Sequence, residues 1–360
     1  MLTFSQKLIQ WQKQHGRHDL PWQNTRDPYL IWLSEIMLQQ TQVSTVIPYY
    51  ERFLGRFPEI RHLAEASEED VLQYWSGLGY YSRARNLHKA AMKISSDFQG
   101  RFPLDFDQIQ SLPGIGRSTA AAISVFAFGN RQAILDGNVK RVLARCFGIE
   151  GFTGNKKIED SLWAKAIELL PTKEIEIYTQ ALMDLGATLC TRGRPQCAVC
   201  PMQSQCVALA SNRVSELPTA KPRKAVPVKS TRMMIIMDRG DVLLEKRPSS
   251  GIWGGLWSLP EVDSESEPTM DCHVRYGVEG SVDGELPLLE HTFTHFRLQI
   301  TPLVIAVKKR MDIAGQNAFL WLPVSEAVNA AIATPVRKLL QQISAGQQLA
   351  LPIGTSTRED

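Results

Sequence analysis

The chain contains 360 residues, of which 44% are hydrophobic and 21% are charged. These proportions are typical of globular proteins and exclude an intrinsically disordered chain. No apolar run reaches the roughly 18–20 residues of a membrane span, and the N-terminal segment lacks the compact apolar core of a secretory signal. The length predicts about two domains, and we expect a cytoplasmic protein with no membrane partner.

The net charge of +3 is unevenly distributed along the chain. Residues 1–210 carry a net charge of +3, residues 211–232 carry +5, and residues 233–360 carry −5. A mildly basic first part and a basic connecting segment suit contact with a polyanion, whereas the acidic last part does not. An asymmetry this small also arises by chance, so charge alone identifies no partner.

The first 210 residues are predicted to be almost entirely helical. Apolar residues recur at helical spacing, with Gly or Pro between the segments, at 28–54, 83–97, 117–128 and 138–147. The segment that follows contains several prolines and basic residues, and we interpret it as a linker.

Short strands separated by Gly, Pro and Asp turns begin near Thr231. The predicted strands are MMIIM, DVLLEK, FRLQITPLVIAV and FLWLP, and PVRKLLQQI near the end predicts a helix. The predicted organisation is an all-α domain at 1–210, a linker at 211–228, a smaller α/β domain at 229–346 and a disordered tail at 347–360.

Four of the six cysteines are clustered in the sequence, with the spacing Cys-x6-Cys-x2-Cys-x5-Cys: Cys190, Cys197, Cys200 and Cys206. In a cytosolic chain, clustered cysteines indicate a metal site rather than disulfides. One short hook flanked by longer arms favours a [4Fe–4S] cluster, with zinc as the alternative. Arg192 and Arg194 between the cysteines suit contact with phosphate.

The sequence SLPGIGRSTA at 111–120 predicts two helices joined by a tight glycine turn. Gly114 and Gly116 allow unusual backbone angles, and their N–H groups, with the N-terminus of the next helix, can hold a phosphate. Taken alone, this pattern is also explained by an ordinary turn between packed helices.

Two carboxyl groups are candidates for chemistry. Glu35 lies among apolar residues in the helical pattern WLSEIMLQQTQV, and a buried carboxylic acid has a raised pKa that lets it donate a proton near neutrality. Asp136 opens the pattern LDGNVKRVLAR about 20 residues after the hairpin. Taken singly, a surface position for Glu35 and a helix-capping role for Asp136 are the simpler explanations.

The hairpin, the following aspartate and the cysteine cluster together resemble the endonuclease III superfamily of DNA base-excision glycosylases. The stretches SEIMLQQTQV, GLGYYSRARNLHKAA, LPGIGRSTA and LDGNVKRVLARC closely resemble adenine DNA glycosylases of the MutY type. This resemblance implies an all-α helix-hairpin-helix glycosylase domain with a [4Fe–4S] cluster loop, followed by a Nudix-like α/β domain.

The resemblance also implies a chemistry, in which adenine is flipped out of duplex DNA and its N-glycosidic bond is hydrolysed. Glu35 would protonate the base, ionised Asp136 would stabilise the positive sugar or bond to it transiently, and Asn138 would orient groups beside Asp136. Relatives with lyase activity carry a lysine in the hairpin as a Schiff-base nucleophile. Here that position is Ser118, which cannot form the imine, so a monofunctional enzyme is implied.

Contacts to the duplex are implied in the same way. Gln40 and Tyr80 would insert into the DNA, with Leu78 close by. Trp22 and Gln180 match positions that line the adenine pocket. For Trp22 and Leu78, ordinary core packing is the alternative explanation.

Residues 228–346 resemble the Nudix-like C-terminal domain of the same family, chiefly through KRPSSGIWGGLWSLP at 246–260. The magnesium-binding box G-x5-E-x7-R-E-x2-E-E-x-G of true Nudix hydrolases does not follow, so we predict no nucleotide hydrolysis. HTFTHF at 291–296 matches the segment that recognises 8-oxoguanine, with Phe293, Thr294 and His295 as the candidate residues.

Two positions depart from the family pattern. Most members carry serine where Thr294 stands, and because both residues present a hydroxyl, recognition should survive. Gln23 occupies a position where some relatives carry arginine, which leaves its role open.

The leading hypothesis is a monofunctional, nucleoid-associated glycosylase that acts as a monomer on double-stranded DNA containing adenine opposite 8-oxoguanine or guanine. One alternative is another mismatch glycosylase on the same scaffold, such as a thymine–DNA glycosylase, but the C-terminal domain argues against it. The other is a non-catalytic iron–sulfur DNA-binding protein, against which Glu35 and Asp136 together argue.

Overall fold

The computed structural model describes residues 2–221, 226–263, 265–311 and 319–349. The chain divides into two compact units: unit 1 comprises Met1–Ala66 and Arg85–Arg223, and unit 2 comprises Ser67–Ala84 and Lys224–Asp360. Ser67–Ala84 therefore packs with the C-terminal unit, although the sequence pattern groups it with the helical domain. The predicted disordered tail lies, from residue 350 onward, outside the described residues.

The N-terminal 210 residues are helical, as predicted. In chain order the helices are α1 (Phe4–His15), α2 (Pro28–Leu38), α3 (Val43–Arg56), α4 (Ile60–Glu65), α5 (Glu68–Trp75), α6 (Ser82–Asp97), α7 (Phe106–Gln110), α8 (Arg117–Phe128), α9 (Gly137–Phe147), α10 (Lys156–Glu168), α11 (Ile175–Asp184) and α12 (Val207–Ala210). A π-helical turn (Leu185–Leu189) extends α11, and two 3₁₀ turns (Cys197–Val199 and Gln203–Gln205) lie among the clustered cysteines.

The helices predicted at 83–97, 117–128 and 138–147 are confirmed as α6, α8 and α9. The prediction of one helical segment at 28–54 is wrong in its middle, because α2 and α3 are separate helices. Gln40 between them has a φ of 57°, a left-handed conformation that a right-handed helix does not contain. The apolar periodicity continues across this break, so the pattern did not reveal it.

The core of unit 1 is formed where α1 packs on α11 and α2 packs on α8. Small side chains on α8, such as Ala120 and Ala121, are buried and let α2 approach closely. Part of the predicted linker also packs on this unit, since Leu217 is only 2% exposed and its carbonyl accepts a hydrogen bond of 2.8 Å from Arg145 Nε.

Unit 2 is built on an eight-stranded sheet with helices α5, α13 (Pro268–Tyr276), α14 (Val324–Ala327) and α15 (Thr334–Leu349). The strands are β1 (Val228–Asp238), β2 (Asp241–Lys246), β3 (Trp257–Ser258), β4 (Glu261–Val262), β5 (Val278–Glu285), β6 (Leu289–Thr292), β7 (Arg297–Arg310) and β8 (Phe319–Pro323). The main strand order is β3-β2-β1-β7-β5, with β4 on β1, β6 on β7 and β8 on β2.

Strands β1 and β7 are parallel and form the centre of this sheet, and the other pairings are antiparallel. The predicted strands fall within β1, β2, β7 and β8, and the predicted C-terminal helix is α15. The sequence did not predict β5 or α13. Across the described ranges, no helix is long and apolar enough to cross a lipid bilayer.

Candidate active site

A cleft of about 2090 Å³ in unit 1 brings together nine of the predicted residues. Those that line it are Trp22, Gln23, Glu35, Gln40, Ser118, Asp136, Asn138, Gln180 and Arg192. The hairpin glycines Gly114 and Gly116 belong to the same unit but not to the cleft lining. The four clustered cysteines also lie in unit 1, whereas Leu78, Tyr80 and the 293–295 segment lie in unit 2.

Glu35 is carried by α2, which begins with Pro28 in its first turn and is capped by Asp27, whose side chain accepts a hydrogen bond from the Tyr29 N–H. Its neighbours Trp32 and Ile36 are buried, and the Glu35 side chain lines the cleft. Burial, followed by the charge of Asp136, raises the pKa of Glu35 from 4.5 to about 8. The group is therefore mostly protonated near neutrality and can donate a proton.

Asp136 caps the N-terminus of α9, as the simpler explanation of the sequence required. Its Oδ1 accepts a hydrogen bond of 2.8 Å from the Val139 N–H, and its Oδ2 accepts one of 3.3 Å from Asn138 Nδ2. Burial raises its pKa above the ordinary value, while these bonds and the charge of Arg141 favour the carboxylate. Capping and chemistry are compatible, because Asp136 both caps α9 and lines the cleft.

Ser118 has a contact that the sequence did not predict. Its Oγ accepts a hydrogen bond of 3.0 Å from the Leu135 N–H. The hydroxyl thereby fixes the backbone immediately before Asp136, in addition to occupying the position of the absent lysine.

The hairpin comprises α7, a turn and α8. Gly114 has a φ of 78°, and a Cβ added there would lie 2.7 Å from the Asn86 Cβ, so the expected unusual backbone is confirmed. The same expectation is wrong for Gly116, which caps α8 with a φ of −85° and has open space where a Cβ would lie.

Arg141 connects the cleft to the cysteine region. Its Nη2 donates hydrogen bonds of 2.8 Å to Asn138 Oδ1 and 2.7 Å to the Gly186 carbonyl, and its Nε donates one of 2.7 Å to the Cys190 carbonyl. The orientation of Asn138, and through it one oxygen of Asp136, is thus linked to the start of the cysteine loop.

The four clustered cysteines line one small, apolar cavity of about 20 Å³, which we call the cysteine pocket: Cys190, Cys197, Cys200 and Cys206. Arg145 borders it and donates a hydrogen bond of 3.4 Å from Nη1 to Cys190 Sγ. Within the described part of the chain, no three Cys, His, Asp or Glu side chains are arranged to hold a single metal ion. Four thiols around one cavity are a donor set that fits an iron–sulfur cluster.

Asp184, which the sequence analysis missed, is bonded to three residues that line the cleft, Gln12, Arg17 and Gln180. Its fully buried carboxylate accepts hydrogen bonds of 2.9 Å from Gln180 Nε2 and Gln12 Nε2. Arg17 adds bonds from its backbone N–H at 2.8 Å and from its guanidinium at 2.5 and 2.9 Å. The only signal in the sequence was the i, i+4 spacing from Gln180, because Arg17 is distant along the chain.

Gln23 also forms specific contacts. Its Oε1 accepts a hydrogen bond of 3.1 Å from the Leu20 N–H, and its Nε2 donates one of 3.1 Å to the Arg17 carbonyl. The side chain therefore stabilises the loop before α2. Trp22 packs edge-on against Tyr50, with 5.4 Å between the ring centroids.

In unit 2, the HTFTHF segment forms the tight turn between β6 and β7. The Phe293 ring stacks on Phe296 with 4.4 Å between centroids, while Thr294 and His295 are exposed. The Thr294 hydroxyl lies 3.4 Å from the Tyr80 hydroxyl. Leu78 is 6% exposed and Tyr80 is 44% exposed, so Tyr80 is the accessible member of that pair.

Two family models match the chain. The HhH-GPD superfamily of base excision DNA repair proteins matches residues 33–166, and the NUDIX domain matches residues 232–342. The first range contains Glu35, Ser118 and Asp136. The helical fold, the hairpin and the cleft thus define a base-excision repair protein of the helix-hairpin-helix class.

Relatives that align with most of the chain identify its family within this class. The chain is 37% identical over 343 residues to the adenine DNA glycosylase of Buchnera aphidicola subsp. Baizongia pistaciae, covering 95% of this chain and 97% of that protein. It is 32% identical to the adenine DNA glycosylase of Homo sapiens, covering 98% of this chain and 76% of that protein. The chain belongs to the adenine DNA glycosylase family.

Solved structures agree in fold. A thermostable thymine-DNA glycosylase superposes with a TM-score of 0.53 at 30% identity, covering 58% of this chain and 95% of that one. An endonuclease III in a non-covalent DNA complex superposes with a TM-score of 0.50 at 23% identity, covering 59% and 99%, and shows the fold alone.

Proposed function

We propose that this chain is a monofunctional glycosylase that removes adenine mispaired with 8-oxoguanine or guanine in double-stranded DNA. The observation that carries the proposal is the pair of dissimilar carboxyls in one cleft, Glu35 with a pKa near 8 and Asp136 with two hydrogen-bond donors. Family membership supports adenine as the base removed. The enzyme would act as a monomer on nucleoid DNA in the cytoplasm.

In the proposed reaction, Glu35 donates its proton to N7 of the flipped adenine while the C1′–N9 bond breaks and its electron pair leaves with the base. Positive charge develops on the sugar. The Asp136 carboxylate, held by the Val139 N–H and the Asn138 amide, stabilises this charge or bonds transiently to C1′. Water then adds to C1′ and passes its proton to the Glu35 carboxylate, any transient bond between Asp136 and C1′ breaks with its electron pair returning to the carboxylate, and an abasic site remains.

The adenine pocket is proposed to lie between Trp22 and Gln180. The Gln180 amide donates to Asp184, so its carbonyl oxygen is directed away from that carboxylate and is free to accept from the adenine amino group. Gln23 contributes indirectly, by holding the loop that carries Trp22.

Contacts with the duplex are proposed for residues of both units. In unit 1, the exposed Gln40 would insert between the base pairs of the duplex, and the Gly114–Gly116 hairpin would bind the DNA phosphate backbone. Arg192, at the edge of the cleft, would also contact phosphate. In unit 2, Tyr80 would insert beside the lesion.

Recognition of 8-oxoguanine is proposed for the turn of HTFTHF. The exposed Thr294 hydroxyl and His295 ring offer hydrogen-bonding groups, while Phe293 is fixed by stacking and by a hydrogen bond of 2.8 Å from its N–H to the Phe296 carbonyl. Glu245 and Glu261 in the same unit are paired with Arg275 and Arg247. The unit is proposed to hydrolyse no nucleotide, because the residues after Gly255 lack the magnesium-binding box.

The cysteine pocket is proposed to hold a [4Fe–4S] cluster, with Cys190, Cys197, Cys200 and Cys206 as ligands and a zinc ion as the alternative. A bound cluster of this kind would tie the four cysteine thiolates together, which would fix the loop, and would supply iron capable of electron transfer. Arg145 and Arg141 of this chain hold the Cys190 segment on α9.

The test is single-turnover excision by the full chain on matched duplexes that contain A:8-oxoguanine, A:G, G:T or only normal pairs. We expect release of adenine from the first two and no strand cleavage before alkali treatment. Release of thymine from G:T without release of adenine would support the thymine alternative instead. Binding without release of any base would support the non-catalytic one.

A further inference from the structure

The segment Ser67–Ala84 of unit 2, here called the wedge segment, contains α5 and a turn at Gly77–Tyr81, here called the wedge turn. Trp75 Nε1 donates a hydrogen bond of 3.1 Å to the Gly79 carbonyl, and the Gly77 N–H donates one of 3.3 Å to the Tyr81 hydroxyl. Because both bonds lie within the segment, the wedge turn keeps its shape relative to the C-terminal end of α5.

The C-terminal end of α5 is held by residues near the end of the chain. The buried Ser76 hydroxyl donates a hydrogen bond of 2.6 Å to the Ile332 carbonyl and accepts one of 2.9 Å from Arg337 Nη2. Arg337 lies on α15, and its Nε donates a hydrogen bond of 2.8 Å to the Val328 carbonyl. One guanidinium thus joins α15 and the preceding loop to the residue that immediately precedes the wedge turn.

The N-terminal end of α5 has a second attachment. Glu69 Oε2 lies 2.8 Å from Lys246 Nζ, and its Oε1 accepts a hydrogen bond of 2.5 Å from Trp257 Nε1. Burial disfavours the charged form of the Glu69 carboxylate and raises its pKa, but the bonds from Lys246 and Trp257 outweigh that effect. The pKa of Glu69 therefore lies below its ordinary value. Between the two ends of α5, Gln73 Nε2 donates a hydrogen bond of 3.1 Å to the Asn329 carbonyl.

We propose that Arg337 and Ser76 are positioning residues for the wedge turn, with Glu69 as the second attachment point. They hold α5 so that Tyr80 enters the duplex beside the Thr294 hydroxyl, which lies 3.4 Å from its own. The inference rests on the proposed function, because it assigns the wedge turn to DNA insertion. Insertion and lesion recognition are then both positioned by one folded unit.

The test compares Ser76→Ala with Ser76→Thr in the full chain. The DNA carries a non-cleavable adenine analogue opposite 8-oxoguanine, with 2-aminopurine at the adjacent step to report unstacking. We expect Ser76→Ala to reduce the fluorescence increase, and to slow single-turnover excision roughly tenfold, as the loss of one buried hydrogen-bonding group implies. Ser76→Thr keeps the hydroxyl and should restore both, and Ser325→Ala, at an exposed serine of the same unit, should change neither.

A folded Ser76→Ala protein with the fluorescence and the rate of the parent would overturn the proposal. If that variant does not fold, Glu69→Gln with Glu68→Gln as its control decides instead. We expect Glu69→Gln to reduce both signals about two- to threefold, since the pair is partly exposed. An unchanged fluorescence signal in Glu69→Gln would then reject the proposal.

Failure of the proposed function gives a different result. A parent protein that excises no adenine contradicts the glycosylase assignment, yet the non-cleavable duplex still reports insertion. A parent protein that excises adenine without any fluorescence increase retains the assignment and overturns the role given to the wedge turn.

Discussion

Two carboxyl groups in one cleft can act as acid and anion only if their surroundings differ. Burial and the neighbouring charge of Asp136 raise the pKa of the Glu35 carboxyl to about 8. Asp136 is also desolvated, but it accepts hydrogen bonds from the Val139 N–H and the Asn138 amide. Glu35 is therefore the carboxyl that carries a proton near neutrality, which is what departure of a protonated base requires.

Replacing Glu35 by Gln tests this assignment directly. The amide keeps the shape of the side chain but cannot donate a proton of suitable acidity, so we expect binding of the A:8-oxoguanine duplex to persist and adenine release to fall by about 10²-fold or more. Single-turnover excision and a binding assay measure the two quantities. Glu51→Gln, at an exposed position of α3, is the matched control.

The pH dependence of the same variant has a defined sign. The Glu35 pKa in the folded protein lies above its ordinary value of 4.5, so the folded state binds the extra proton between about pH 4.5 and 8. The free energy of unfolding contributed by this group therefore falls as pH rises through that window. The excision rate should also fall above pH 8, and the stability of Glu35→Gln should vary less with pH than that of the parent. Rapid turnover by the variant would refute the acid role.

Asp184 combines full burial with five side-chain or backbone donors from Gln12, Arg17 and Gln180. Asp184→Asn removes the charge and leaves the Arg17 guanidinium without its partner, so we expect destabilisation by about 3–5 kcal/mol. Chemical denaturation measures this loss, with Asp160→Asn at an exposed i, i+4 pair as control. A variant as stable as the parent would show that Arg17 finds another partner.

The sequence predicted Glu35 and Asp136 because each lies in a long motif whose family resemblance assigns a chemistry. It could not predict Asp184, because its partners are brought together by the packing of α1 against α11 and by the loop after α1. The sequence identified Ser118 only as the residue that stands where relatives with lyase activity carry a lysine. Its bond to the Leu135 N–H depends on the approach of two segments that no local pattern specifies.

Among the structural elements, the hairpin contains two glycines that differ in backbone conformation and in the space available for a side chain. Gly114→Ala introduces a Cβ at a φ of 78°, 2.7 Å from the Asn86 Cβ, so we expect a loss of stability of about 1–3 kcal/mol. Gly116→Ala has space and an ordinary φ of −85°, so its stability should be nearly unchanged.

Comparing the two variants separates folding from binding. Thermal or chemical unfolding of both measures the first effect, and affinity for undamaged duplex measures the second. If the N-terminus of α8 meets a phosphate, Gly116→Ala weakens DNA binding while remaining folded. Equal stability of the two variants would contradict the strain assigned to Gly114.

The cysteine loop is expected to depend on its proposed cluster for its fold. Cys197→Ser should lose iron and weaken DNA binding, because the segment has little regular structure beyond two 3₁₀ turns. Iron analysis, and absorbance near 400 nm (roughly the region of iron–sulfur charge transfer), measure the first effect. Cys272→Ser, at a cysteine in unit 2, is the control. Purified parent protein that contains zinc and lacks this absorbance would favour the alternative metal.

Element types were largely predictable, and their interruptions were not. The α2–α3 break carries apolar residues at helical spacing on both sides, and the helices are separated by the short turn at 39–42, which contains the left-handed Gln40. Strand β5 is mostly exposed and has irregular register with β7, so its sequence VEGSVDGE shows no alternating pattern.

At the scale of the whole molecule, the grouping of the wedge segment changes what a truncation means. A deletion of residues 226–360 would retain Glu35, Asp136 and the clustered cysteines, which all precede the linker. The deletion also removes Lys246, Trp257 and Arg337, which hold α5. Such a protein would lose lesion recognition and wedge positioning together, so its loss of 8-oxoguanine preference would not distinguish them.

A full-length comparison of Thr294→Ala and Tyr80→Phe separates the two functions. Thr294→Ala removes the proposed contact to 8-oxoguanine, worth about 1–3 kcal/mol, so we expect the A:8-oxoguanine preference over A:G to fall roughly tenfold. Tyr80→Phe keeps the inserting ring and loses only the hydroxyl 3.4 Å from Thr294.

Because the two variants disrupt one shared contact, their effects in the double variant should be less than additive. Thr294→Ser should retain the preference, and Thr292→Ala, at an exposed position of the adjoining strand, controls for local disturbance. Excision rates on A:8-oxoguanine and A:G duplexes, measured for each variant, give the preference. If Thr294→Ala kept the full preference, recognition of the oxidised base would have to reside in other residues, with Gln40 and His295 the next to be tested.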